Sequence, residues 1–138
     1  MRPVIVSLGS LPIDKGLRSV AQEFGWSLVR VPARRQIQKT CKAFDVVAIL
    51  FEPKAIAASW QEALKIVQAE APGALPIVCH RFSESLPWPE LAHAGAFHEL
   101  WLPFDLGEVR QSWGFVQSAS LRRGVVAVTL QRRDSFVA

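Results

Sequence analysis

Few residues in this chain have both the type and the spacing that a reactive site needs. Ser7 and Ser10 flank Gly9 immediately after an apolar run, in the place where a phosphate-binding loop would lie. That single glycine matches neither the GxGxxG nor the Walker sequence, whose further glycines let the backbone approach a phosphate. His80 and Arg81 follow a second apolar run and could also contact an anion. These residues support one hypothesis, a site for a small anionic ligand or nucleotide.

The cysteines and histidines do not form a recognisable metal or redox site. Cys41 and Cys79 lack a CxxC pair, and no two of the histidines at positions 80, 93 and 98 have HxxxH spacing. Zinc sites and redox motifs depend on such spacings. The serines also lack the GxSxG pattern of hydrolases. We therefore expect reduced thiols, no metal, no cofactor and no catalysis.

The composition is that of one globular domain. The chain has 138 residues, of which half are hydrophobic, and carries 16 Lys and Arg against 12 Asp and Glu. Its apolar runs are far shorter than the ~20 residues of a membrane span, and the N-terminus lacks the long apolar stretch of a secretory signal. The net charge of +4 is too small and too dispersed to predict nucleic-acid binding. We expect a cytoplasmic protein with neither a membrane nor a nucleic-acid partner.

Five apolar runs of strand length alternate with segments of helical periodicity. The runs are residues 4–8, 26–31, 46–51, 75–79 and 99–102, and the helical segments are residues 14–24, 33–44, 53–71, 87–94 and one that begins at Asp105. Nearly continuous Val, Ile and Leu are typical of strands that are covered on both faces of a parallel sheet. The alternation predicts an α/β fold, a doubly wound sheet of five parallel strands.

A sixth apolar run, at residues 124–130, has no place in this alternation. An apolar strand outside the main sheet is expected to pair with an exposed sheet edge. We therefore predict one domain over residues 1–121, followed by a C-terminal extension over residues 122–138 that contains an extra strand.

Three segments resemble parts of the receiver domains of response regulators. Residues 94–106 contain Ala-Gly-Ala, a short strand and then Pro-Phe before a helix, as that family does. Residues 45–50 are similar to its third strand, which ends at the phosphoaccepting aspartate, and residues 76–81 to its fourth. The resemblance covers residues 3–121. It implies a flavodoxin-like sheet of order 2-1-3-4-5 and a cis peptide bond at Leu102–Pro103.

The residues that carry out phosphoryl transfer in that family are missing here. The resemblance places their functions at six positions, namely Ser7 and Leu8 for the acidic metal-binding pair, Leu50 for the phosphoacceptor, Arg81 or His80 for the hydroxyl, and Leu102 for the lysine. None of these residues has the group that its position requires. We therefore expect a degenerate pocket, that of a pseudo-receiver.

Large aromatic residues concentrate in the last third of the domain. They are Trp88, Trp101 and Trp113, together with Phe97, Phe104 and Phe115. In receivers, the surface from the fourth to the fifth helix docks partner proteins or a second receiver, and exposed aromatic residues are common anchors of such interfaces. We predict that Trp88, Trp101, Phe104 and Trp113 form an interaction surface for a partner protein or for a homodimer.

The expected function is that of a non-catalytic, phosphorylation-independent interaction module in bacterial signal transduction or transcription regulation. Three alternatives stay open, and one of them is that the basic residues of the C-terminal tail contact nucleic acid. Glu52 could imitate a permanent phosphate charge beside Arg81. The fold could instead be a flavodoxin-like binder of a small anionic ligand or nucleotide, with Ser7, Ser10, His80 and Arg81 in its site. No motif identifies the partner or the pathway.

Overall fold

The computed structural model describes residues 1–84 and 86–137, with side chains as far as residue 121. Its strands are β1 (Pro3–Leu8), β2 (Ser27–Val31), β3 (Asp45–Phe51), β4 (Leu75–Arg81) and β5 (His98–Leu102). Its helices are α1 (Lys15–Glu23), α2 (Ile37–Ala43), α3 (Trp60–Glu70), α4 (Trp88–His93) and α5 (Leu106–Val137). Short 3-10 turns occupy Arg34–Gln36, Pro53–Ala55 and Phe82–Glu84. Every predicted strand and helix of the five-unit scheme is present.

The five strands form one sheet in the order β2-β1-β3-β4-β5. Every neighbouring pair is parallel. The predicted doubly wound α/β fold of order 2-1-3-4-5 is confirmed. As a result, β2 and β5 are the two edge strands, and the carboxyl ends of all five strands lie along the side of the sheet where open α/β folds bind ligands.

Apolar side chains cover both faces of the sheet. Because side chains alternate along a strand, one face packs against α1 and α5, and the other packs against α2, α3 and α4. We call them the α1/α5 face and the α2–α4 face. Leu50 and Trp113 belong to the first core, and Ile49 and Leu64 belong to the second. Each buried leucine or isoleucine of this kind stabilises the fold by about 1.5–3 kcal/mol relative to an exposed position.

Side-chain caps define where three helices begin. Asp14, Ser59 and Asp105 each accept a hydrogen bond from the backbone amide three residues later, at 2.8, 3.2 and 3.1 Å. Such caps satisfy amides that have no partner within the first helical turn. The predicted start of a helix at residue 53 is wrong, because Pro53 opens only a 3-10 turn and the cap of α3 is Ser59.

The last helix is longer than the sequence pattern indicates. α5 runs from Leu106 to Val137, so the backbone of residues 124–130 is helical and the predicted extra strand is wrong. A short apolar run does not by itself distinguish a strand from a helix, and no proline interrupts the chain after Pro103. The division between residues 1–121 and 122–138 stays a prediction, because the side chains of the extension lie outside the described residues.

Candidate functional site

The carboxyl ends of the strands bring four of the predicted pocket residues to one face of the sheet. Ser7 lies opposite Leu50 in the register of β1 and β3, and Arg81 lies opposite Leu102 in the register of β4 and β5. Strand alternation places all four on the α1/α5 face. Arg81, and not His80, therefore shares a face with Leu50 and Leu102.

Apolar side chains fill this end of the α1/α5 face. Ser7 and Leu50 expose no surface, and Leu102 is 2% exposed. Leu11, from the loop after β1, belongs to the same core cluster as Leu50 and Leu102. The Ser7 hydroxyl has no hydrogen-bond partner among the described residues. Solvent therefore does not reach the Leu50 side chain.

Arg81 is exposed at the end of β4. Glu52, two residues beyond Leu50, is half-buried where β3 ends. In the part of the chain that the structure describes, no ion pair joins Glu52 to Arg81. The hypothesis that Glu52 imitates a phosphate charge beside Arg81 therefore gains no support from the contacts.

The remaining predicted pocket residues face the other side of the sheet. Leu8 is 3% exposed and packs in the α2–α4 core, and His80 follows Val78 on that same face. Ser10 is exposed in the loop after β1. Ser7 and His80 thus point to opposite faces of the sheet. The residues predicted for an anionic-ligand site do not converge.

An arginine on the edge strand β2 holds the loop that follows β1. The Arg30 guanidinium donates from Nη1 to the Gly9 carbonyl (2.9 Å) and from Nη2 to the Leu11 carbonyl (2.8 Å). A fixed positive charge at this loop disfavours binding of a divalent cation nearby. Sequence analysis missed Arg30, because its partners are about twenty residues away in the chain and no local pattern links them.

Cys79 lies on β4, also within the α1/α5 core. Burial raises the pKa of its thiol far above the ordinary range, and the negative charges of Glu52 and Glu108 act in the same direction. The thiolate is the reactive form of cysteine. Cys79 is therefore a packed core group, as predicted for a reduced, buried thiol, and not a nucleophile.

Three aromatic rings pack together at the carboxyl end of the edge strand β5. The fully buried His80 ring lies 4.0 Å from the Trp101 ring, centroid to centroid. Phe82 stacks on Trp101 at 4.4 Å with an interplanar angle of 9°, and it is 77% exposed. His80 Nε2 donates a hydrogen bond to Glu99 Oε2 (2.8 Å), which fixes the inner ring. We call His80, Phe82 and Trp101 the carboxyl-end aromatic cluster.

A second aromatic group lies at the amino end of β5. The rings of Trp88 and His98 are 6.3 Å apart and edge to face, and those of His98 and Phe115 are 6.0 Å apart. Phe115 is 51% exposed. A cavity of about 330 Å³ opens beside it, lined in part by Phe97 and Ala119. We call Trp88, His98 and Phe115 the amino-end aromatic cluster.

Trp113 is not part of any exposed surface. It is fully buried and lies edge to face against Trp26, at 6.3 Å. The prediction that Trp113 belongs to an interaction surface is wrong. Val109 and Val116 lie four residues before and three residues after it, so helical periodicity places it on the inward side of α5.

The other residues predicted for the surface are partly exposed. Trp88 and Trp101 belong to the two aromatic clusters, whereas Phe104 packs against the margin of the α1/α5 core. Phe82 and Phe115 are more exposed than any of them. Sequence analysis missed Phe82, and it counted Phe115 among the aromatic residues of this region without assigning it to the surface. For Phe115 a signal existed, since two helical residues turn the chain by about 200° and put it opposite the inward-facing Trp113.

Solved structures with this architecture include receiver domains of response regulators. The receiver domain of AraT, a response regulator from Geobacillus stearothermophilus, has a TM-score of 0.69 over 89% of this chain and 98% of its own, at 14% identity. A response regulator from Thermotoga maritima gives 0.67 over 86% and 99%, at 11% identity. A Burkholderia thailandensis structure described as a pilus assembly protein, CpaE, gives 0.60 over 86% and 99%, at 17% identity.

This chain has the receiver fold. The cis peptide bond at Leu102–Pro103, which the resemblance implied, is also present. No protein-family model matches the sequence, and no curated protein matches it either. At identities of 11–17% the solved structures show the fold alone.

Two negative findings apply to the described part of this receiver fold. No three His, Cys, Asp or Glu side chains among those described gather as metal ligands. None of the described helices is long and apolar enough to cross a membrane. What the receiver fold does present at its surface is a pair of aromatic clusters along its edge strand β5.

Proposed function

We propose that this receiver-fold chain is a protein-interaction module that acts in the cytoplasm, in bacterial signal transduction or transcription regulation, without catalysis and without phosphorylation. The burial of Leu50 carries the proposal. At the position that the resemblance assigns to the phosphoacceptor, the side chain is apolar, exposes no surface and belongs to the same core cluster as Leu11 and Leu102. Phosphoryl transfer requires a nucleophilic carboxylate there.

Three neighbouring features support the same conclusion. Ser7 has a buried hydroxyl where a metal-binding carboxylate would lie, and Mg²⁺ is bound through carboxylate oxygens and water. Arg30 adds a positive charge to the adjacent loop. Leu102 has no charge with which to neutralise a transferred phosphoryl group. Without a nucleophile, a metal site and a cation at position 102, the transfer step lacks the groups that would stabilise it electrostatically.

Loss of the phosphoryl group has a consequence for binding. A covalent or bound group shifts a conformational equilibrium only if it interacts better with one of the two states. A receiver fold with no site for that group must present a binding surface that is competent at all times. The exposed rings of Phe82 and Phe115 meet this condition, because Phe82 stacks on Trp101 and Phe115 makes a tilted ring contact with His98.

We further propose a homodimer through the edge strand β5. The two aromatic clusters lie at its two ends, around Trp101 and His98. A two-fold axis across the middle of β5 would bring the carboxyl-end cluster of one copy against the amino-end cluster of its partner. Such an isologous contact is self-complementary. Partly exposed aromatic rings of this kind are the residues that most often anchor protein interfaces.

An amide NMR spectrum tests the absence of a phosphoryl site. Beryllofluoride with Mg²⁺ imitates an aspartyl phosphate, and it should leave the amide resonances around Leu50, Arg81 and Leu102 unchanged. Sodium fluoride with Mg²⁺ but without beryllium is the control for ionic strength. Saturable shifts that cluster around Leu50 and Leu102, and that need beryllium, would overturn the proposal.

A further inference from the structure

Basic side chains gather at the sheet edge opposite β5. Residues 33–44 contain Arg34, Arg35, Lys39 and Lys42 and no Asp or Glu, and the edge strand β2 adds Arg30. Because β2 and β5 are at opposite ends of the strand order, this basic edge is separate from the proposed dimer surface. A homodimer through β5 would therefore leave the basic edge uncovered.

Most of this positive charge is uncompensated. Arg34 pairs with Glu70 on α3 (Nε to Oε1, 2.7 Å). Arg35, Lys39 and Lys42 are exposed, and within the described residues none of the three makes an ion pair. Lys39 and Lys42 are three residues apart on α2 and so are neighbours on its surface. Like charges this close repel one another. An acidic ligand would lower this electrostatic repulsion.

A groove lies between β2 and α2, directly beside these charges. Its volume is about 270 Å³. Apolar and basic residues both line it, among them Val29, Val31, Ala43, Phe44, Arg30 and Lys39. Val29 and Phe44 pack against the α2–α4 core and are only partly buried. The groove therefore combines an apolar floor with a basic rim.

We propose that this groove, the β2 groove, binds a short extended acidic segment of another protein. The positive charges of the rim suit carboxylates, while the apolar floor can accommodate one or two aliphatic side chains. A nucleic acid fits less well, because binding of a single strand relies on exposed aromatic rings for base stacking, and Phe44, the ring in the lining, is half-buried.

The edge strand β2 determines where the acidic segment would bind. Arg18 Nη1 already donates to the Leu28 carbonyl (3.0 Å), and Pro32 follows the last residue of β2. Residues 29–31 remain along the groove, and at the sheet edge no strand among the described residues lies on their outer side. An extended peptide can add to such an edge by backbone hydrogen bonds, with alternate side chains entering the groove.

The competing explanation is that the basic residues protect the sheet edge from pairing with other chains. Natural proteins place Lys and Arg along edge strands to prevent pairing with other chains. Saturable binding of an acidic strand that depends on Lys39 and not on Lys65 separates the two explanations, since charges that only protect the edge would attract the strand without preference for the groove.

The test is an amide NMR titration of the full chain with a synthetic peptide of alternating Glu and Val, blocked at both ends. We expect saturable shifts confined to β2 and α2. Lys39→Glu should weaken the affinity by about tenfold, since it replaces an attraction with a repulsion at the rim. Lys65→Glu is the matched control, because it changes the net charge equally at an exposed position on α3, and it should leave the affinity nearly unchanged.

Two further probes show whether binding depends on charge alone or also on the shape of the groove. A peptide of alternating Gln and Val should bind far more weakly, and a single-stranded oligonucleotide should not compete for the β2 groove. The proposal is overturned if the Glu–Val peptide gives no saturable shifts. It is equally overturned if Lys65→Glu weakens binding as much as Lys39→Glu, or if the oligonucleotide binds β2 and α2 more tightly than the peptide does.

Discussion

Ser7 and Leu50 are register partners on β1 and β3, and neither exposes any surface. In the receiver resemblance these two positions are where a metal ligand and the phosphoacceptor would meet. Here a hydroxyl without a described partner lies beside a leucine of the α1/α5 core. This end of the sheet contributes to stability, and substitutions there should be detected first as changes in the free energy of unfolding.

Replacing Leu50 with Asp should destabilise the fold by at least about 3 kcal/mol. Truncation of a buried leucine alone costs about 2–5 kcal/mol, and a carboxylate buried without a partner adds to that cost. Leu50→Met is the matched control, because a volume-conserving change costs less than about 1.5 kcal/mol. Urea unfolding measures both. An aspartate at position 50 that kept wild-type stability and accepted phosphate from acetyl phosphate would show that the pocket is intact.

The hydrogen bond between His80 and Glu99 should give a measurable coupling energy. A double-mutant cycle with His80→Phe, which keeps a ring against Trp101, and Glu99→Gln should yield about 1 kcal/mol or more, since partners in one buried contact are coupled by about 0.5–3 kcal/mol. The control cycle is Arg110 with Glu23, an exposed ion pair at 3.0 Å, whose coupling should be smaller because solvent screens it. Equal couplings in the two cycles would contradict the buried bond.

Two aromatic residues of α5 should respond in opposite ways to truncation. Trp113→Ala removes a fully buried ring and should cost about 3–5 kcal/mol of stability. Phe115→Ala removes a half-exposed ring and should change stability by no more than about 0.5 kcal/mol, while it weakens self-association. Thermal unfolding and sedimentation measure the two effects. A stability loss at Phe115 as large as that at Trp113 would mean that Phe115 is a core residue and not an interface anchor.

Burial of Cys79 makes stability depend on pH. Because burial raises the pKa of its thiol, the folded chain keeps a proton that the unfolded chain loses above the ordinary thiol pKa of 9.0. The stabilisation is fully present below that pH and is lost as the pH rises above it. Between about pH 8 and pH 10.5 the wild type should lose about 2 kcal/mol more than Cys79→Ala. Urea unfolding at the two pH values tests this; parallel losses in both proteins would refute the assignment.

The strands could be predicted because they are nearly continuous in Val, Ile and Leu, as strands covered on both faces are. The predicted end of β4 is two residues early, because the apolar pattern stops at Cys79. No local sequence pattern indicates that His80 will form a hydrogen bond with Glu99. The order of the strands is a long-range property. It came from the receiver resemblance and not from periodicity, and the structure bears it out.

The candidate site was harder to predict than the fold. Which positions form the pocket followed from the resemblance, but the loop up to Ala94 is one residue short of the usual length in receivers, so Arg81 and His80 stayed alternatives. Trp113 was placed on a surface because it lies in the region that docks partners in receivers, although the spacing to Val109 and Val116 favours the core. Phe82 lies in a 3-10 turn, where no periodicity indicates exposure.

Sedimentation velocity with and without acetyl phosphate and Mg²⁺ tests the central proposal most directly. At micromolar concentration the chain should sediment as a dimer in both conditions with the same distribution, and Phe82→Ala combined with Phe115→Ala should shift it toward the monomer. Lys65→Ala, an exposed substitution on α3, should leave the dimer intact. A monomer that becomes a dimer only when acetyl phosphate and Mg²⁺ are added would contradict both the constitutive surface and the loss of phosphorylation.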